Sequence, residues 1–252
     1  QVSLEQGTII RGKRLTYIVD EELGANRFTV LTPQYGRTVM RLEKITETDR
    51  LQRLNNELSL LMTAENAPPE HRTHLLRLYD FCVTADFKFL VASRVGPSIE
   101  DLQYKFGAMF GPRTVRHIAA ETLKAIREVH ELGYVLRDVR PSIFNIGPSP
   151  FGEKCIYIGT YNRVAYKGAN NKPKRTRPHV RVALYASRAR LRERECTIRD
   201  DYESWLYMVM DLYDQRWIRD EQGLGREERV VEILKQKDAI MRCESPASPL
   251  CP

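Results

Sequence analysis

The 252-residue sequence predicts an α+β protein, with a small β-rich N-terminal part and a mainly helical C-terminal part. Three observations predict it. Residues 8–42 alternate short β-prone runs with Gly, Pro, Asn or charge clusters. Thr114 to His130 carries a single apolar stripe of Val115, Ile118, Ala119, Thr122, Leu123, Ile126 and Val129, with Pro112 before it and Gly133 after it. That helix delivers the chain to the stretch Gly133 to Gly147, where Arg137-Asp138 sits among apolar residues and Pro141 forbids a continuing helix. Unpaired buried charge is costly, so the Arg-Asp pair implies partners fixed by the fold.

Composition bounds the rest. A hydrophobic content of 42% supplies a core for one large domain or two close lobes, and 29% charge argues against wholesale disorder. The five cysteines (82, 155, 196, 243 and 251) are scattered and form no Cys-x-x-Cys, which favours reduced thiols over disulfides or zinc. The first residues show no basic-then-apolar leader, and no apolar run approaches the ~18–20 residues of a membrane span. The expected location is therefore cytoplasmic and/or nuclear, without a membrane. The net charge of +7 permits an acidic partner.

In chain order, Thr8–Arg11, Leu15–Val19, Phe28–Leu31 and Thr38–Leu42 are expected strands. Asp49 to Ala64 has Leu51, Leu54, Leu58 and Leu61 at helical spacing, with Glu57 beside them. Ala67-Pro68-Pro69-Glu70 is a loop, followed by strands over Leu75–Phe81 and Phe87–Arg94. Short helices are expected at 99–106 and at Arg226–Ile240, and a largely apolar one after Asp200. Residues 163–199 are heavily basic, and 244–249 read as a disordered tail.

Several of these stretches resemble protein kinases of the casein kinase I and tau-tubulin kinase branch. Leu136-Arg137-Asp138-Val139-Arg140-Pro141-Ser142-Ile143 resembles the catalytic loop His-Arg-Asp-x-Lys-Pro-x-Asn. Leu184-Tyr185-Ala186-Ser187 resembles the end of the activation segment, and Asp200-Asp201-Tyr202-Glu203-Ser204 the entry to a buried helix. The resemblance runs over roughly residues 4–240. It implies a two-lobed fold: 1–92 as an N-lobe of five strands and one helix, 93–96 as a hinge, 97–243 as a C-lobe shortened at its C-terminus, and 244–252 as the tail.

The same comparison locates what is missing. In the family a Gly-rich hairpin covers the phosphates; here only Gly24 remains, with Asn26 and Thr29 at the other positions. Arg41 stands where the phosphate-pairing Lys would, and Glu57 where its partner Glu would, so the two are expected to form an ion pair. Ala92 and Val95 would line the adenine side of the cleft. Ile143 replaces one metal ligand and Gly159 the other, within Gly159-Thr160-Tyr161. Asn145 is an alternative oxygen donor. Asp138 keeps the position of the catalytic base, although a structural ion pair with Arg137 is the preferred role. Asp201 would anchor the loop backbone.

These departures point to a pseudokinase acting as an interaction scaffold. No cofactor is expected; ATP held without productive Mg²⁺, with weak or atypical serine/threonine kinase activity, is the alternative. A further alternative is anion or partner binding through Lys172, Lys174, Arg175, Arg177, Arg181, Arg188 and Arg190, with a phosphorylated or acidic protein, or nucleic acid, as the ligand. Lys172 to Arg177 also resembles a nuclear localisation signal.

Overall fold

Alternating burial along the first ninety residues folds into one antiparallel sheet. A computed structural model describes residues 4–24, 26–45, 53–107, 109–148, 154–161, 163–167, 180–218 and 223–242. The strands are β1 (Ile9–Arg11), β2 (Thr16–Gly24), β3 (Arg27–Thr32), β4 (Gly36–Lys44), β5 (Leu78–Val83) and β6 (Phe87–Ala92), in the order β1-β2-β3-β4-β6-β5. The period of two puts Tyr17, Val19, Phe28, Val30, Met40, Leu42, Phe89 and Val91 on one buried face. The sheet has six strands where five were expected. The strand beyond the five implied by the family resemblance is β1, which the sequence placed at Thr8–Arg11; it pairs Ile9 with Ile18 and Arg11 with Thr16 across a turn closed by Gly12 N–H to Leu15 O at 2.8 Å.

The remaining differences lie at element ends. Leu75 and Leu76 are buried but precede β5 instead of opening it. Helix α1 (Arg53–Glu65) buries Leu54, Glu57, Leu60, Leu61 and Ala64, spaced three or four apart. Its expected first residues fall outside the described ones.

The helical part is built on α3 (Pro112–Glu131), which follows α2 (Ile99–Phe106). Val115, Ile118, Ala125, Ile126 and Val129 of α3 are buried, each such side chain contributing about 1.5–3 kcal/mol relative to exposure for the larger ones. The core they form is continuous with α1, with β6 and with Met208 and Leu212 of α6 (Ile198–Tyr213). Trp205 Nε1 of α6 donates to Thr122 Oγ1 of α3 at 3.0 Å.

Short strands β7 (Tyr134–Val135), β8 (Phe144–Ile146), β9 (Ile156–Ile158) and β10 (Ala165–Tyr166) form two small ribbons, β7 with β10 and β8 with β9. A separate core lies between α4 (Val180–Tyr185), α5 (Arg188–Leu191), α6 and α7 (Arg226–Met241). Lys237 of α7 is fully buried within it. Its ammonium donates to Ala183 O and Ala186 O at 2.7 and 2.6 Å and lies 4.2 Å from the Tyr207 ring centre. The expected tail at 244–252 lies outside the described residues. Among those described, no helix is long and apolar enough to cross a membrane.

Candidate functional site

The site is assembled from the start of α6 upward. Asp200 caps the helix by accepting the Thr197 N–H at 2.8 Å. One residue on, Asp201 is 1% exposed and receives three donors. The backbone N–H groups of Leu136 and Arg137 reach it at 2.8 Å each, and so does His130 Nε2. These contacts hold Arg137 at φ +60°, a left-handed conformation that non-glycine residues avoid without such support.

Beyond Asp201 the loop makes a short 3₁₀ turn at Pro141–Ile143 and enters β8. Pairing of Phe144 with Ile158 then brings Gly159 against Ile143, whose carbonyl accepts the Gly159 N–H at 2.8 Å. The residues expected at the two metal-ligand positions are thus neighbours, yet neither side chain carries an oxygen. Ile143 is 3% exposed and belongs to the main core.

Asn145 does not supply the missing oxygen. Its Nδ2 donates to Gly96 O at 2.8 Å, while Gly96 N–H donates to Ile146 O at 2.8 Å. This stitches the segment after β6 onto β8. Gly96 suits the approach, since a Cβ there would stand 3.0 Å from Gly147 O. Asn145 Oδ1 in turn occupies the space beside Gly159: a Cβ on residue 159 would lie 2.0 Å from it.

Asp138 is 9% exposed and is surrounded by guanidinium groups. Arg190 Nη1 lies 3.2 Å from Asp138 Oδ1 and donates to Arg137 O at 2.7 Å. Arg140 Nε is 3.4 Å, and Arg163 Nε 3.9 Å, from Asp138 Oδ2. Arg190 is delivered by α5, whose Ser187 cap accepts the Arg190 N–H at 3.2 Å. The expected Arg137–Asp138 ion pair does not form. The left-handed backbone turns Arg137 away, and its Nε donates to Arg163 O at 2.8 Å.

The anion-binding role expected of Arg188 and Arg190 also meets a different arrangement. Arg188 pairs with Glu203 at 2.9 Å and Asp238 at 3.5 Å, so both arginines are committed to carboxylates of the fold. Lys172, Lys174, Arg175 and Arg177 lie outside the described residues, as does the Arg181 side chain.

On the sheet side, Arg41 Nη1 meets Glu57 Oε1, forming the expected ion pair. Arg41 Nη2 also donates to Gly159 O at 2.5 Å. Burial pushes the guanidinium down to about 10. Gly24 closes the β2–β3 hairpin by pairing with Arg27, across a two-residue turn that holds Asn26 at φ +61°. That is the geometry of a tight hairpin turn. Ala92 is buried and Val95 packs against the main core. Sequence reasoning missed Arg190, Arg140 and Arg163 as partners of Asp138. A signal existed: an Asp in an apolar stretch needs compensating charge, and the arginine-rich segment was the available source.

No protein-family model matches the chain. It is 33% identical over 181 residues to a candidate serine/threonine-protein kinase of Caenorhabditis elegans, a match covering 69% of this chain and 54% of the relative. A second such protein of the same organism is 30% identical over 190 residues, covering 74% and 46%. Casein kinase I homolog 3 of Schizosaccharomyces pombe is 33% identical over 131 residues, covering 49% and 30%. The chain spans about half the length of the first two relatives.

Proposed function

Because the chain is a casein kinase I-like protein kinase domain, we propose that it is a catalytically inactive member, a pseudokinase that works by holding protein partners. The observation that carries this reading is the state of Asp138. A catalytic base must present a free carboxylate oxygen to the hydroxyl it deprotonates. Arg190 sits on Oδ1, and Arg140 and Arg163 face Oδ2.

The missing oxygens at 143 and 159 support the same reading. Phosphoryl transfer depends on cations that neutralise the phosphates and on groups that align the nucleophile. Mg²⁺ takes oxygen ligands. Here Ile143 is packed into the core, Asn145 is tied to Gly96, and Arg41 is tied to Glu57 and Gly159. Loss of one electrostatic contributor costs about 3–4 kcal/mol in a transition state, and several are lost together.

A scaffold needs surface to present. On α2 and the segment after it, Tyr104 is 93% exposed, with Phe106 and Met109 also exposed. Large apolar side chains left in water so close in sequence favour a protein partner over nucleic acid. Cytoplasm or nucleus is the compartment that this reading implies.

Thermal unfolding with millimolar ATP, with and without Mg²⁺ or Mn²⁺, is expected to show no shift, and a transfer assay no labelled product. Metal-dependent transfer that Asp138→Asn abolishes would overturn the proposal.

A further inference from the structure

Away from Asp138, the molecule brings together a second set of chemically matched side chains. His74 lies in the segment leading to β5, Glu121 and Glu128 lie two turns apart on α3, and Cys155 immediately precedes β9. Glu128 grips His74 twice, accepting its backbone N–H at 2.9 Å and its Nδ1 at 2.7 Å. That bond fixes the ring and places the proton on Nδ1. The other ring nitrogen, Nε2, points at Glu121 Oε2, 3.2 Å away. A bare lone pair facing a carboxylate oxygen at that distance is repulsive, so a cation belongs between them: a proton on Nε2, or a metal ion.

The third atom near this point is a sulfur. A ring nitrogen of His74, a carboxylate oxygen of Glu121 and Cys155 Sγ all lie within 4.8 Å of one another. Bonds of about 2.0–2.3 Å in a tetrahedron put ligand atoms about 3.3–3.7 Å apart. The His74 nitrogen and Glu121 oxygen stand close to that spacing at 3.2 Å, and the thiol lies within 4.8 Å of the ligand atoms, near enough to complete the set by moving toward the ion. We propose that His74, Glu121 and Cys155 bind a divalent transition-metal ion, Zn²⁺ by donor type, with its fourth position open to the neighbouring cavity.

Three features support the assignment. Thiolate, imidazole and carboxylate form a donor set that suits Zn²⁺ and not Mg²⁺ or Ca²⁺. Glu128 supplies the outer hydrogen bond that orients a ligating histidine. The cavity, about 480 Å³ and lined by His71, His74, Glu121, Lys124 and Glu128 among others, provides entry and room for a water or partner ligand. Charge also balances. Without metal, protonated His74 and Lys124 offset Glu121 and Glu128. With Zn²⁺, the ion displaces the protons of Nε2 and Sγ, and the local sum stays the same. Lys124 does not block the site, because it binds the other oxygen, Oε1, at 2.7 Å.

Such an ion would clip together three segments distant in sequence. The clip adjoins the Asp138 cleft through β9, whose Ile158 N–H donates to His74 O at 2.9 Å.

The test uses the full chain, stripped with a chelator and titrated with Co²⁺ as a spectroscopic probe. One Co²⁺ per chain, bound with release of two protons and with a thiolate-to-cobalt absorption band that is lost when Zn²⁺ displaces the cobalt, is the expected result. Cys155→Ser should remove the band, and Glu121→Gln and His74→Gln should each weaken binding at least about tenfold. Cys82→Ser and Cys196→Ser should keep the band. A folded chain that shows no band, or a band that survives Cys155→Ser, overturns the proposal. So does binding that Glu121→Gln leaves unchanged; this substitution lies at a partly exposed position and keeps the test valid if His74→Gln fails to fold.

Discussion

Asp201 and Asp138 serve the same loop and are held in different ways. Asp201 is gripped mainly by backbone, through the N–H groups of Leu136 and Arg137, with His130 as the third donor. Asp138 is faced by guanidinium groups, with side chains arriving from the loop, from residue 163 and from α5. Backbone donors exist whatever the sequence at those positions. Side-chain partners do not. A frame built on main-chain bonds can therefore persist while the reactive face above it is rewritten residue by residue.

The contrast can be broken first at Asp201. Asp201→Ala leaves three buried donors without an acceptor and should cost about 3–5 kcal/mol. Urea unfolding measures it, and a loss below about 1 kcal/mol would show that the loop does not depend on this anchor. Next comes the buried pair on the sheet side. Arg41→Met or Glu57→Leu alone should each cost about 3 kcal/mol, because each leaves an uncompensated charge. The double variant should return to within about 1 kcal/mol of the parent, and a double-mutant cycle reads this directly.

A smaller effect is expected at α5. Arg190→Thr should cost about 1–2 kcal/mol, the worth of a charge-assisted hydrogen bond. It frees Asp138 Oδ1, leaves Arg140 and Arg163 facing Oδ2, and restores no oxygen at 143 or 159, so phosphate transfer should remain absent. Transfer gained by this change alone would locate the whole block in Arg190. The smallest effect concerns pH. Burial acts to raise the Asp238 carboxyl, but Arg192 and Arg188 outweigh it and hold the group below its ordinary value. Its stabilisation is therefore present above the unfolded value near about 3.9 and is lost as pH falls through the folded one. Asp238→Asn should flatten that acid limb by about 0.5–1 kcal/mol and leave neutral stability lower by a similar amount.

Much of the frame was legible because it rests on periodicity and punctuation. The α3 stripe between Pro112 and Gly133 and the strand alternation needed no long-range knowledge, while the anchor Asp201 was implied by the family resemblance. The Arg41–Glu57 pair was legible for a similar reason, as two motif positions on adjacent elements. What stayed hidden depended on closure in three dimensions. Arg190 lies 52 residues from Asp138 and inside a run of positive charge that reads as a solvated loop. Arg137 was assigned to its sequence neighbour, but a left-handed turn separates their side chains. His74, Glu121 and Cys155 share no spacing rule, since two separate loops and a helix each contribute one. β1 was read from its β-prone residues at Thr8–Arg11, and only the five-strand count implied by the family resemblance left it out.

The wedge of Asn145 against Gly159 couples two positions. A side chain introduced at 159 meets Asn145 Oδ1, while the other end of that amide holds Gly96 O. Placing a carboxylate at 159 therefore disturbs the link between residue 96 and β8, and is a two-residue redesign.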